Sequence, residues 1–158
     1  MFSVGDRIAH PMHGAGIIDS IVKRMVDGSE REYYSLKLPA GDMQVMIPVD
    51  STDSIGVRPI VCPEEAEKII SSFSEIEINM TQNWNKRYRE NMIKIKSGDL
   101  MEVAAVIKGL MLRENDKGLS TGERKMLHSA KQILISEIVL SESTSYEDVE
   151  KRITIAIS

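Results

Sequence analysis

The sequence predicts an α+β protein in which a small N-terminal β-barrel is followed by a C-terminal all-α helical bundle. In residues 1–60, six of the chain's 10 glycines and four of its 5 prolines interrupt short runs of β-branched and apolar residues. From Pro63 onward the apolar period changes from two to about 3.6, and helix-start signals recur. A chain of 158 residues has room for one ordinary domain or two small ones, and these patterns predict domains at 1–60 and 61–158.

Five short strands are predicted in the N-terminal domain, joined by turns such as Asp27-Gly28 and Gly41-Asp42. They cover residues 7–10, 15–23, 31–37, 44–48 and a short piece near 55–58. So small a sheet favours closure into a barrel, because closure removes most of the exposed strand edges.

Five helices are predicted in the C-terminal domain. The sequence Pro63-Glu64-Glu65 opens the first, which runs to about residue 73, and the second covers about 81–96. Asp99-x-x-Glu102 and Ser120-x-x-Glu123 resemble capping boxes that start helices 100–114 and 121–141, and Ser145-x-x-Asp148 starts the last. Two apolar stripes at helical spacing should pack together. They consist of Leu100, Val103, Ala104, Ile107, Leu110 and Met111 on one helix, and of Met126, Leu127, Ala130, Ile133, Leu134 and Ile138 on the other.

Charge is unevenly spread along the chain. The net charge is -4, yet residues 84–131 carry 11 basic and 6 acidic side chains. A basic block inside an otherwise acidic chain is typical of a protein with one face that meets a polyanion. A solvated helix surface is the other interpretation of the same block.

The composition excludes several kinds of site and compartment. A single cysteine, Cys62, excludes an intrachain disulfide framework, a zinc site built on several thiolates and a four-cysteine iron–sulfur cluster. No basic n-region leads into an apolar stretch, and no run approaches the roughly 18 apolar residues of a membrane span. We therefore expect a cytoplasmic protein with no membrane partner.

Catalytic chemistry finds little support. No G-x-S-x-G or G-x-x-x-x-G-K-[ST] motif occurs, so we expect neither an enzyme nor a small-molecule substrate, and no cofactor. His10 and His13 would ligate a metal only if a third ligand, such as Asp6 or Asp19, came close, and a structural role is favoured for both. His128 is predicted to lie in the helical bundle.

Trp84 is the only tryptophan, and it stands among basic residues in the sequence Asn83-Trp84-Asn85-Lys86-Arg87-Tyr88-Arg89. One interpretation is that the ring packs in a stripe with Tyr88, Asn91 and Ile95. The other is that it projects past the helix end as an apolar wedge against a base step. Lys86, Arg87 and Arg89 would then contact phosphates.

The chain resembles the CarD/CdnL family of bacterial transcription regulators. The resemblance is carried by "FSVGDRIAHPMHGAGII" and "DMQVMIPV" in the N-terminal half, and by "NWNKRYRENMIKIKSGDLMEVAAVIKGL" and "KGLSTGERKMLHSAKQILISEI" in the helical half. It implies a Tudor-like or SH3-like N-terminal barrel that binds the β subunit of RNA polymerase, and a helical domain that touches promoter DNA.

The same resemblance implies the site residues. Trp84 would enter the minor groove at the upstream edge of the transcription bubble, with Lys86, Arg87 and Arg89 on the backbone and Lys125 near DNA. The polymerase would be bound through Arg24 and an exposed strand edge at Gln44, Val45, Met46 and Ile47. Met46 departs from the family, because several relatives carry arginine there. The protein would stabilise the open promoter complex with little sequence specificity.

Two other functions remain open. A stand-alone repressor would bind a specific promoter, although no helix-turn-helix partner is evident. A protein-interaction adaptor would use the barrel to bind a peptide, and its helical bundle would be structural and would not contact DNA.

Overall fold

The computed structural model describes residues 1–39 and 43–158, in which an antiparallel sheet precedes a helical region. The strands are β1 Arg7–His10, β2 Gly14–Val26, β3 Ser29–Lys37, β4 Gln44–Pro48 and β5 Arg58–Pro59. The helices are α1 Thr52–Ile55, α2 Pro63–Ser72, α3 Trp84–Lys96, α4 Leu100–Asp116, α5 Thr121–Glu142 and α6 Tyr146–Ile157, and a 3-10 turn at Val49–Ser51 leads into α1. The α+β class and the order of its two parts are confirmed.

The predicted closed barrel is wrong. In the described part of the chain the strand order is β4-β3-β2-β1-β5, so that β4 and β5 lie at opposite edges of an open sheet. The strand predicted at 55–58 is shorter and later than expected, because residues 52–55 form one helical turn. Pro59 also has no N–H to donate to another strand. The turn predicted at Gly41-Asp42 lies outside the described residues.

Strands β2 and β3 form a long hairpin whose far end extends beyond β4. Asp27 and Gly28 both have positive φ, at 50° and 78°, as a two-residue turn of the favoured hairpin type requires. Strand β4 pairs only with Tyr33–Lys37 of β3, whereas β2 and β3 stay paired up to Val26 and Ser29. The result is a two-stranded ribbon, on which Arg24 lies directly opposite Arg31.

The predicted packing of the two central helices is confirmed. Every residue of the two predicted stripes is buried except Met111, which is half-buried against the same core. Helix α5 is also buried on a second side, which the stripe does not predict. Its residues Ser136 and Glu137 are each 1% exposed, because α5 packs against strand β2 as well as against α4.

The second buried side of α5 joins the helices to the sheet by polar contacts. The Ser136 hydroxyl accepts a hydrogen bond from the Ala15 backbone N–H at 2.8 Å. The Glu137 carboxylate accepts two bonds from the Arg58 guanidinium, at 2.6 and 3.0 Å, and one from the Val61 N–H at 2.8 Å. Charge-assisted bonds of this bidentate kind fix geometry as well as adding energy. The sheet and α5 are therefore held in one arrangement.

Candidate nucleic-acid interface

Trp84 is the first residue of α3. The helix was predicted to start near residue 81, but Asn83 caps it instead, because its side-chain oxygen accepts a hydrogen bond from the Lys86 N–H at 3.0 Å. Trp84 is 42% exposed, although Asn91 and Ile95 of the same predicted stripe are buried. The ring therefore lies at the outer end of the stripe, partly packed and partly open to solvent.

Two contacts hold the indole. Its ring stacks on the Tyr88 ring one helical turn later, with centroids 5.1 Å apart and planes 19° from parallel. Its Nε1–H donates to the hydroxyl of Ser120, the N-cap of α5, at 3.0 Å. Gly122 lies against the same pair of rings, since a Cβ there would be 3.6 Å from Tyr88 and 3.7 Å from Trp84.

A buried ion pair lies next to this contact. Arg87 and Glu123 are only 1% and 2% exposed. The Arg87 guanidinium donates to the two Glu123 oxygens at 2.8 and 3.2 Å, and to the carbonyls of Thr81 and Gln82 at 3.2 Å each. Arg87 thus joins the segment that precedes Trp84 to the first turn of α5.

Glu123 is kept ionised at this position. Burial by itself raises the pKa of the carboxyl, but the hydrogen bonds and the charge of Arg87, the charge of Arg113 and the backbone at Ser120 outweigh it. The pKa of Glu123 therefore lies below its ordinary value.

The predicted DNA-binding residues divide into two groups. Lys86 and Arg89 on α3 and Lys125 on α5 are exposed, as contact with a phosphate requires. Arg87 is not available for such a contact in this structure, because its guanidinium is buried and bonded to Glu123 and two carbonyls. The spacing of Arg87, Asn91 and Ile95 at i, i+4 and i+8 is the sequence signal that could have placed Arg87 on the buried side.

The sequence did not single out Ser120 and Glu123 as site residues. Their spacing predicts a capping box, and half of that motif is present: the Ser120 hydroxyl accepts from the Glu123 N–H at 3.2 Å. The contact between Ser120 and the indole joins residues 36 positions apart. No local pattern predicts a contact at that separation.

The predicted polymerase-binding residues lie on two parts of the sheet. Arg24 is exposed on the ribbon of β2 and β3. Gln44, Val45, Met46 and Ile47 are on β4, an edge strand whose outer side has no partner strand among the described residues. Gln44 is exposed and Val45 and Met46 are half-buried, whereas Ile47 is buried.

His10 and His13 lie next to each other, and the described residues place no third potential metal ligand with them. The ring centroids of His10 and His13 lie 4.6 Å apart. Residues 1–39 and 43–158 contain no group of three or more His, Cys, Asp and Glu side chains that could hold a metal ion. Burial, together with the nearby His13, lowers the pKa of His10 to about 4. His128 is exposed on α5 and not buried in the bundle as expected.

In the part of the chain that the structure describes, none of the helices combines the length and the apolar character needed to cross a membrane.

Comparisons with known proteins cover both halves of the chain. Residues 2–61 match the model of the CarD-like/TRCF RID domain, and residues 68–154 match that of the CarD C-terminal domain. A Bacillus subtilis (strain 168) protein named "Putative transcription factor YdeB" is 34% identical over 150 residues, which cover 95% of this chain and 98% of that protein. Both family models occur in order and the relative spans nearly the full length, so the chain belongs to the CarD/CdnL family of bacterial transcription regulators.

Proposed function

We propose that this protein regulates transcription initiation. Its N-terminal sheet binds the β subunit of bacterial RNA polymerase, and its helical domain contacts promoter DNA in the minor groove at the upstream edge of the bubble, which stabilises the open complex. The observation that carries the proposal is Trp84, 42% exposed and held at a helix start among exposed cations. Membership of the CarD/CdnL family and the printed name of the Bacillus relative also support it.

On the DNA side, the indole supplies selectivity for opened DNA. An apolar ring inserts between base steps at the cost of unstacking them, and that cost is lowest where the duplex is already melting. The ring therefore binds the edge of a bubble better than it binds closed duplex. A ligand shifts an equilibrium by its difference in affinity for the two states, and so the protein favours the open complex.

The cations supply affinity without sequence readout. Lys86, Arg89 and Lys125 each attract a phosphate by an interaction that weakens with salt and is the same for any sequence. Placement on a promoter then comes from the polymerase, since tethering raises the local concentration of the helical domain at the DNA.

On the polymerase side, β4 has no partner strand on its outer edge among the residues that the structure describes, and a sheet of the polymerase would pair there. Backbone hydrogen bonds along Gln44 to Ile47 would give affinity, and the alternating side chains would give specificity. Met46 would contribute an apolar contact at a position where, by the family resemblance, several relatives carry arginine. The ribbon adds charge: Arg24 and Arg31 are both exposed and directly opposed across the strands. Like charges in this position are destabilising within the protein, but together they would attract an acidic surface of the partner.

Reversal of the charge at Arg24 tests the tether. We expect Arg24→Glu to weaken binding to RNA polymerase by about 2 kcal/mol, or roughly 30-fold, because an attractive charge becomes repulsive at the contact. At a concentration that just saturates polymerase with the unaltered protein, the effect of the variant on open complexes should fall in proportion to the fraction of polymerase that it occupies. Binding is measured by titration of labelled protein with core polymerase.

Lys23→Glu is the matched control, because it makes the same change in net charge at the adjacent residue. Lys23 points to the opposite face of the ribbon and pairs with Glu30 at 3.5 Å. If both variants bind polymerase as the unaltered protein does, the ribbon is not part of the contact.

A further inference from the structure

We infer that Ser120, supported by Glu123 and Arg87, is a positioning residue for the Trp84 indole. The indole has one polar atom, the Nε1–H, and that atom donates to the Ser120 hydroxyl at 3.0 Å. Ser120 is the N-cap of α5 and Trp84 lies on α3, so the bond ties the exposed ring to the start of a second helix. The consequence for DNA rests on the proposed function, whereas the positioning of the ring does not.

The hydrogen bonds around the Ser120 hydroxyl have a fixed direction. The oxygen accepts from two groups that can only donate, the Trp84 Nε1–H and the Glu123 backbone N–H. Its own hydrogen must therefore go elsewhere, and the Glu123 carboxylate, an acceptor when ionised, lies 3.3 Å away. The hydroxyl thus has its donor and both acceptor positions in use, and it cannot rotate without breaking a bond.

The ionised state of Glu123 depends in turn on Arg87. The guanidinium bonds to both carboxylate oxygens inside the protein, where a carboxylate without a partner would be costly. A directed chain results: Arg87 holds Glu123, Glu123 orients the Ser120 hydroxyl, and the hydroxyl holds the indole. Its members form two pairs, Trp84 with Ser120 and Arg87 with Glu123, and the partners in each pair lie 36 positions apart in sequence.

An indole ring that is already fixed in the free protein loses less conformational freedom when it binds DNA. Ordering a mobile side chain at an interface lowers affinity by about 2- to 12-fold. Loss of the Ser120 contact should therefore weaken the action of the indole on opened DNA by a factor in that range. Because the Tyr88 stack remains, the effect should be smaller than that of removing the ring.

The test uses the single tryptophan of the chain, whose fluorescence reports on Trp84 alone. Time-resolved anisotropy measures the nanosecond motion of the ring in the free full-length protein. We expect Ser120→Ala to increase the amplitude of this motion and Ser120→Thr, which keeps a hydroxyl, to restore the original decay. The same two variants should respectively reduce and preserve the lifetime of promoter open complexes.

Ser145→Ala is the matched control. Ser145 caps α6 by the same kind of bond, from the Asp148 N–H at 3.1 Å, but the structure gives it no contact with the indole. The variant therefore reports the loss of stability from a missing helix cap, without a change in the ring's motion.

The outcomes separate this inference from the proposed function. If Ser120→Ala leaves the anisotropy decay unchanged, Ser120 does not position the ring and the inference is overturned. If Trp84→Ala abolishes the effect on open complexes but Ser120→Ala does not change it, the proposed function stands and the expected consequence of positioning for DNA is overturned. If the Trp84→Ala variant prolongs open complexes as much as the unaltered protein does, the proposed function fails. The anisotropy then decides the positioning role by itself.

Discussion

Replacement of Arg87 by methionine is expected to lower the free energy of unfolding by about 3–5 kcal/mol, the cost of breaking a buried ion pair from one side. The variant leaves the Glu123 carboxylate buried without its partner and removes the donor that bonds Thr81 and Gln82. Chemical denaturation at neutral pH measures the loss. Lys86→Met, at the exposed neighbour, removes the same charge and should change the unfolding free energy by less than about 0.5 kcal/mol.

The difference in the free energy of unfolding between Arg87→Met and the unaltered protein should depend on pH. In the unaltered protein the pKa of Glu123 is below its ordinary 4.5, so its stabilising contribution is present above 4.5 and is lost as pH falls through the lower folded value. In the variant, burial without Arg87 raises the pKa of Glu123. The cost of burying its ionised carboxylate is therefore full at high pH and disappears as pH falls towards 4.5. The loss of stability should therefore shrink on acidification. Equal losses at neutral and acid pH would contradict this explanation.

Replacement of Gly14 by alanine is expected to open the junction between the sheet and α5. Gly14 has φ +95°, and a Cβ there would lie 2.5 Å from the Ser136 hydroxyl and 3.0 Å from the Gln132 carbonyl oxygen. The left-handed backbone alone costs about 1–2 kcal/mol for a residue with a Cβ. The clash adds to it, because relief requires β2 to move away from α5 and to give up the bond between Ala15 and Ser136.

Gly5→Ala separates the cost of the left-handed backbone from the cost of the clash. Gly5 has nearly the same backbone angle, φ +94°, but nothing lies within 4 Å of its Cβ position. Thermal or chemical unfolding of both variants should show a loss for Gly14→Ala that exceeds the loss for Gly5→Ala. An equal loss would mean that the close approach at the junction contributes nothing.

The junction also bears on function. Ser120 caps one end of α5 and Ser136 contacts the sheet about four turns later, so the two points lie roughly 24 Å apart along a single helix. If the sheet binds polymerase as proposed, a rigid connection of this kind sets the distance from the polymerase to the indole. Gly14→Ala should therefore weaken the effect on open complexes even when polymerase binding is retained.

The sequence predicted the elements well because their signals are local. Asp99, Ser120 and Ser145 cap helices where the sequence predicts their starts, and the apolar stripes of α4 and α5 are buried as their spacing indicates. The barrel prediction failed for a reason that is not local. It assumed that a small sheet must close on itself, whereas β2 packs against α5, a helix more than 90 residues further along the chain.

The candidate site shows the same difference between features with local sequence signals and features set by distant parts of the chain. Trp84 stands out as the only tryptophan, and the exposure of Lys86 and Arg89 follows from their place on the polar side of α3. Arg87 belongs to the same basic run but is buried, because Glu123 on another helix neutralises it. Composition alone does not distinguish a cation that faces DNA from one that supports the tryptophan.

The most direct test of the proposed function is the lifetime of promoter open complexes formed by bacterial RNA polymerase without the protein, with it, and with its Trp84→Ala variant. The wedge mechanism predicts a lifetime about tenfold longer with the unaltered protein, which corresponds to about 1.4 kcal/mol, and a return to the protein-free lifetime with the variant while polymerase binding persists. A variant that extends the lifetime as much as the unaltered protein would contradict the claim that the indole stabilises the open complex.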